Sequence, residues 1–260
     1  MDIPFNPDTS VSDAVTRWPA LVTLFEKHRI DFCCHGDTPL RTACERAGVS
    51  LGAVASAVSL ASADTREHRD WTKAPMSELC DHIVDRYHIP TRDRFEVLRS
   101  LIPKVAAAHS AHAPWLAEVA AVEQDLRAEM LDHMIREERV LFPWIKRLEQ
   151  NGAVTIGPPW SVKRPIDCMI HDHDSVGAAL HRIRDLTNNY TSPTWACPSV
   201  IQMLTQLQSL EADTHVHIHL ENNLLFPAAI RAETSAASAR TADNAKHCGV
   251  DSDAASRELR

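Results

Sequence analysis

Apolar residues recur at three- and four-residue spacing over four long stretches, roughly 77–106, 114–149, 166–188 and 199–231, the period of amphipathic helices. Between them lie HSAHAP, NGAVTIGPPWSVKRP and NNYTSPTWACP, rich in residues that end helices and make turns. Four helices joined in this way predict an all-α, up-down four-helix bundle. Upstream, residues 1–60 read as a small N-terminal domain of short helices. Ser10 with Asp13 makes a capping-box-like start, Thr38-Pro39 places a cap before a proline at the first helical position, and Ser50 can cap Leu51 to Leu60. Residues 61–75 lose apolar periodicity and read as a linker to a bundle domain of 76–231. Residues 232–260 contain almost no large apolar side chain, so a disordered tail is expected there.

Composition sharpens this picture. Glycine supplies 7 of 260 residues, which favours helices over many tight β-turns. A formal charge of -8 and the lack of a long Lys/Arg run argue against a nucleic-acid partner. The N-terminus has no basic region followed by an apolar stretch, and the run Leu51 to Ala61 is too short to span a bilayer. A cytoplasmic location without membrane contact is therefore expected. Seven cysteines without a Cys-x-x-Cys spacing fit reduced thiols better than a disulfide framework or a zinc ribbon.

The 15 histidines change the picture most, because imidazole is the commonest protein metal ligand. His133-x-x-x-Glu137 followed by Leu-Phe-Pro recurs as His217-x-x-x-Glu221 followed by Leu-Phe-Pro, 84 residues later at every matched position. Residues at i and i+4 share a helix face, so each motif sets an imidazole beside a carboxylate. Antiparallel hairpins turning near residues 110 and 195 bring positions near 88 and 173 to the same level, and these are His88 and His173. Four histidines and two glutamates thus converge at one level of the bundle. His109 and His112 fall at a loop, about 30 Å along the axis from His88. His171, His215 and His219 each stand two positions, about 200°, from a chosen ligand, and His82 nearly two turns from His88. These are expected to be partly exposed or to lie outside the ligand set.

Six nitrogen and oxygen ligands without a thiolate are too many for one tetrahedral zinc. They suit two metals bridged by both glutamates, each held by two imidazoles with positions left open, with iron favoured and manganese second. Glu129 and Asp213, each four residues before a ligand histidine, are candidates to orient an imidazole or hold a water. In the small domain, Asp31-Phe32-Cys33-Cys34-His35-Gly36 offers adjacent thiols that can chelate a soft metal or exchange with a disulfide. A nearby histidine or helix N-terminus would lower their pKa.

Over about residues 5–230 the sequence resembles the iron-sulfur cluster repair di-iron proteins, the RIC or ScdA family, which includes NorA-type nitric-oxide-binding proteins. The resemblance rests on Phe32-Cys33-Cys34, Arg86-Tyr87-His88, His133-x-x-x-Glu137 with Leu-Phe-Pro, His173-Asp174, and His217-x-x-x-Glu221-Asn-Asn with Leu-Phe-Pro. It implies a hemerythrin-like bundle holding two iron ions, bridged by oxygen or carboxylate, which helps repair iron-sulfur clusters damaged by nitrosative or oxidative stress. The implied partners are damaged iron-sulfur proteins, with nitric oxide or oxygen as a small ligand, and the chain would be a monomer or homodimer. Cys33 and Cys34 would receive iron or contact the client. A carrier, buffer or sensor without turnover, and reduction of nitric oxide at the two irons, are the alternatives. Two features depart from the family pattern: His35, where glycine is common, and the chain beyond residue 231.

Overall fold

The computed structural model describes residues 5–62, 69–151 and 161–248, and every regular element among them is helical. The small domain comprises α1 (Val11–Arg17), α2 (Leu21–His28), α3 (Leu40–Ala47) and α4 (Leu51–Ser62). Ser10 caps α1 by accepting from the Asp13 N–H at 3.0 Å, and the Ser50 hydroxyl accepts from the Ala53 N–H at 3.1 Å. Thr38 does not cap α3. Pro39 itself takes the cap position, and the Thr38 hydroxyl donates to the His35 carbonyl, which closes the thiol loop. The middle of the expected linker, 63–68, lies outside the described residues, as do 152–160 of the loop before the third bundle helix.

The first bundle helix is α5 (Met76–Ile83), a π-helical turn π1 (Val84–His88) and α6 (Ile89–His109). The second is α7 (Trp115–Arg136), π2 (Glu137–Leu141) and α8 (Phe142–Asn151). α9 (Lys163–Leu186) is the third. α10 (Pro198–Leu220), π3 (Glu221–Leu225) and α11 (Phe226–Cys248) form the fourth. The expected tail therefore differs from the structure as far as Cys248. Residues 232–248 contain Ala232, Ala236, Ala237, Ala239, Ala242 and Ala245 with no glycine or proline, so helix propensity favours continuing the helix. Residues 249–260 lie outside the described part.

The bundle core is divided in two. One apolar cluster, with Phe95, Leu98, Leu126, Val176, Leu204 and Leu210, is continuous with the small domain's Leu21, Phe25 and Phe32. The other gathers Leu79, Ile83, Leu141, Ile145, Ile166 and Phe226. The buried polar side chains of the candidate site sit between them, at the level the repeat marked. No helix among the described residues is long and apolar enough to cross a membrane.

Candidate metal centre

All six residues of the repeat meet in one buried layer, none more than 1% exposed. They fall into two overlapping groups. His88, Glu137, His217 and Glu221 place one ligand atom each within 4.8 Å of the others, and so do His133, Glu137, His173 and Glu221. Both glutamates belong to both groups, the arrangement expected of two bridging carboxylates.

Each imidazole turns its Nε2 inward. His88 and His217 Nε2 lie 3.1 Å apart, and His133 and His173 Nε2 lie 3.2 Å apart. Two nitrogens bound about 2.1 Å from one metal at a right angle would be about 3 Å apart. Outward, three of the four Nδ1 atoms meet an acceptor: Glu138 Oε1 for His88 at 2.7 Å, Asp172 Oδ2 for His133 at 3.3 Å, and Asn222 Oδ1 for His173 at 2.9 Å. In a neutral ring, an Nδ1–H donated outward leaves the inward Nε2 free to ligate a cation. Glu137 Oε1 and Oε2 and Glu221 Oε2 are buried without a hydrogen-bond donor. Such a layer would be costly to bury on its own, and a cation satisfies every member of it. Positive charge is drawn in even from protons. Burial opposes charge on His133, yet Glu137 and Glu221 pull its pKa up to about 9. Burial works to raise the carboxyl of Glu221, but His217 and His173 hold it well below the usual carboxylate range.

Glu129 and Asp213 do not orient an imidazole. Glu129 is exposed, and Asp213 accepts from Arg94 Nη1 at 2.7 Å. Their place is taken by Glu138, Asp172 and Asn222, each next in sequence to a ligand but bonded to an imidazole on a neighbouring helix. Arg92 and Arg136 hold the two carboxylates from outside, at 2.7 and 2.8 Å. The supporting positions follow the hairpin repeat, since Glu138 and Asn222 are 84 residues apart. The symmetry fails once. Asp172 corresponds to Tyr87, whose ring stacks on His217 at 6.1 Å, and His217 Nδ1 has no partner among the described residues.

The other histidines divide. His109 and His112 lie at the far end against Trp195, His82 stacks on Trp71 and His171 is exposed, all apart from the centre as expected. His215 and His219 are buried rather than partly exposed, because the small domain covers that face of α10. His215 pairs with Glu26, while His219 Nδ1 donates to the Phe32 carbonyl at 3.2 Å and its Nε2 accepts from Thr16. Burial lowers the His219 pKa to about 4, so it docks the small domain as a neutral ring.

The thiol pair sits on this interface. Asp31 Oδ1 accepts from the N–H groups of Cys33 and Cys34, both at 3.0 Å, and Oδ2 pairs with His35 Nδ1 at 2.9 Å. The two sulfurs are 3.7 Å apart and both are free thiols. The His35 imidazole is spent on Asp31, so it does not activate Cys33. The Cys34 thiol beside it, burial and the Asp31 carboxylate all hold the Cys33 thiol well above its usual range, contrary to the expected lowering. Gly36 fixes the loop's path: a Cβ there would lie 2.6 Å from Ser12 Cβ and 2.7 Å from the Phe32 carbonyl oxygen.

The chain is similar in sequence to known proteins over most of its length. Residues 81–229 match the hemerythrin HHE cation binding domain, and residues 7–62 match the ScdA_N domain, described as of unknown function. A protein of Edwardsiella ictaluri named iron-sulfur cluster repair protein YtfE is 36% identical over 86% of this chain and 97% of its own length. Proteins of the same name from Yersinia pseudotuberculosis and Yersinia pestis are 33% identical over 83% of this chain and 93% of theirs.

Proposed function

The chain belongs to the family of hemerythrin HHE-domain iron-sulfur cluster repair proteins, and from that premise we propose that it is a non-haem di-iron protein that helps restore iron-sulfur clusters damaged by nitrosative or oxidative stress. His88 and His217 would hold one iron, His133 and His173 the other, and Glu137 and Glu221 would bridge them. The observation that carries this reading is the buried layer of four imidazoles and two carboxylates in which Glu137 Oε1 and Oε2 and Glu221 Oε2 have no hydrogen-bond partner. When bound, the irons would supply open coordination positions for a diatomic ligand and an exchangeable store of ferrous ion. A nitrogen and oxygen donor set suits iron without forbidding manganese.

The chain's own residues give this centre its character. Glu138, Asp172 and Asn222 fix three imidazole tautomers so that Nε2 points inward, and the two apolar halves of the core keep bulk water from the layer. Cys34 is half-buried at the edge of the same interface, with the buried Cys33 behind it, and a damaged iron-sulfur protein would be met there. Seven cysteines without a disulfide or zinc-ribbon spacing fit a cytoplasmic setting.

A second reading, nitric oxide or oxygen binding without turnover, is favoured by one feature. A cavity of about 300 Å³, lined by apolar and polar side chains alike, among them Val22, Leu220, Arg69 and His82, has in its wall Tyr87, whose ring stacks on His217. Reactivation of a damaged iron-sulfur dehydratase separates the two. The repair reading expects the parent protein to restore activity and His133→Ala and Cys33→Ala/Cys34→Ala to fail. Restoration by these variants as complete as by the parent would overturn it. Iron content well below two per chain would overturn the dinuclear assignment.

A further inference from the structure

Asn222 touches both halves of the proposed machinery. Its Oδ1 accepts the Nδ1–H of His173 at 2.9 Å, and its Nδ2 donates to the Cys33 carbonyl at 3.3 Å. Asn223 donates to the same carbonyl at 3.2 Å but makes no bond to His173. The repeat explains why an amide stands here. At the equivalent position Glu138 needs only to accept from His88, and a carboxylate does that; position 222 must accept on one side and donate on the other, which an ionised carboxylate cannot do. A second contact ties the same two parts. Cys34 Sγ lies 3.9 Å from where a Cβ on Gly177 would stand, one turn of α9 beyond His173, so the thiol loop rests on the helix that carries this imidazole.

We propose that Asn222 is a positioning residue that couples the thiol loop to the metal position held by His133 and His173. The coupling rests on the di-iron reading above. With the loop docked, the Cys33 carbonyl holds the amide, and the amide holds His173 with its lone pair on the metal. Drawing the loop away, as engagement of a client at the thiols would do, frees the amide and loosens that position. The effect is reciprocal: metal at the centre fixes the loop.

The test reads the thiol rather than activity. Full-length protein is prepared metal-free, or loaded with ferrous ion and freed of excess, and alkylation of Cys34 by iodoacetamide is followed by peptide mass spectrometry. In the parent, loading slows alkylation by roughly fivefold or more, the lower end of couplings between sites. Asn222→Asp keeps the acceptor for His173 and so keeps the metal, but alkylates at one rate with or without it. Asn223→Ala raises the rate in both forms and keeps their ratio. In the opposite direction, alkylated parent surrenders metal to a ferrous chelator faster than unmodified parent, and alkylated Asn222→Asp does not. If the loaded parent holds two metals and its alkylation rate is unchanged by them, the coupling is wrong while the centre stands. If protection persists in Asn222→Asp, metal acts on the thiols directly and the coupling is likewise wrong. A parent that takes up no metal overturns the di-iron reading itself.

Discussion

Three imidazoles of the centre donate outward to three different groups, and the worth of those bonds can be measured at single positions. Partners of this kind, which fix a tautomer and strengthen the ligand, typically change metal affinity 10–100-fold. Glu138→Ala and Asp172→Ala are each expected to weaken metal binding by a factor in that range, read by competition with a chelator. Glu129→Gln and Asp213→Asn should leave it unchanged, since neither carboxylate reaches an imidazole. Equal effects from all four would mean that general negative charge, not aimed acceptors, holds the ions. The meeting of the six side chains was legible because i, i+4 spacing and a repeat encode the His-x-x-x-Glu pairs along their helices. Their supports were not, because Glu138 serves a histidine on the first bundle helix and Asp172 one on the second. Adjacency on different helices leaves no periodic trace in sequence, although Asn222 could have been suspected from the repeat once Glu138 was known.

At the scale of elements, the π-helical turns and the helix starts reveal how far the repeat extends. Each π turn ends two residues before a proline, Pro90, Pro143 or Pro227. Proline lacks an N–H and crowds the carbonyl four residues back, and a turn closing i→i+5 relieves that crowding. Pro103, inside α6, sits without such a turn, so proline invites the π turn but does not suffice for it. A wider turn sets successive side chains less than the usual 100° apart, which lets Glu137 face the centre while Glu138 reaches His88, and Glu221 face it while Asn222 reaches His173. The repeat also caps the helices. Glu149 accepts from the N–H groups of Met76 and Ser77 at 2.6 and 3.1 Å, and Glu233, 84 residues later, accepts from Val162 N–H at 2.9 Å and from the Ser161 hydroxyl. Glu233 thus anchors the start of the helix that carries His173, from within the segment expected to be a disordered tail. Weak apolar content hid it, since alanine favours a helix without leaving an apolar period in the sequence. Glu233→Ala is expected to cost about 1 kcal/mol, as loss of a helix cap does, while a chain ending at Ser238 should unfold at the parent temperature. A thermal scan of the three proteins decides, and an equal loss in the shortened chain would show that the outer turns of α11 carry stability.

On the whole-molecule scale, composition and pattern separated a small helical domain from a bundle but did not say that the first lies on the second. The signal was present in α10, where His215, His217 and His219 alternate on faces about 200° apart. A helix that buries both faces must be covered on both, and the bundle covers only one. The cover is held by an ionic cluster: Arg184 reaches Glu26 at 2.7 Å and Glu211 at 2.6 Å, and His215 pairs with Glu26 from the other side. Burial works against the charge of Glu26, but His215 and Arg184 outweigh it and hold its carboxyl below the ordinary value of 4.5. A carboxyl lowered on folding contributes stability that is complete above its unfolded pKa and is lost as pH falls through the folded one. The metal-free parent should therefore exceed Glu26→Gln by roughly 1–3 kcal/mol at pH 7, the worth of hydrogen bonds to a charged partner. That margin should close as pH drops below 4.5. Denaturant unfolding of both proteins from pH 7 to pH 3 measures it. Metal-free protein keeps protonation of the centre common to both, so a margin unchanged at pH 3 would show that Glu26 holds the small domain by shape and not by charge.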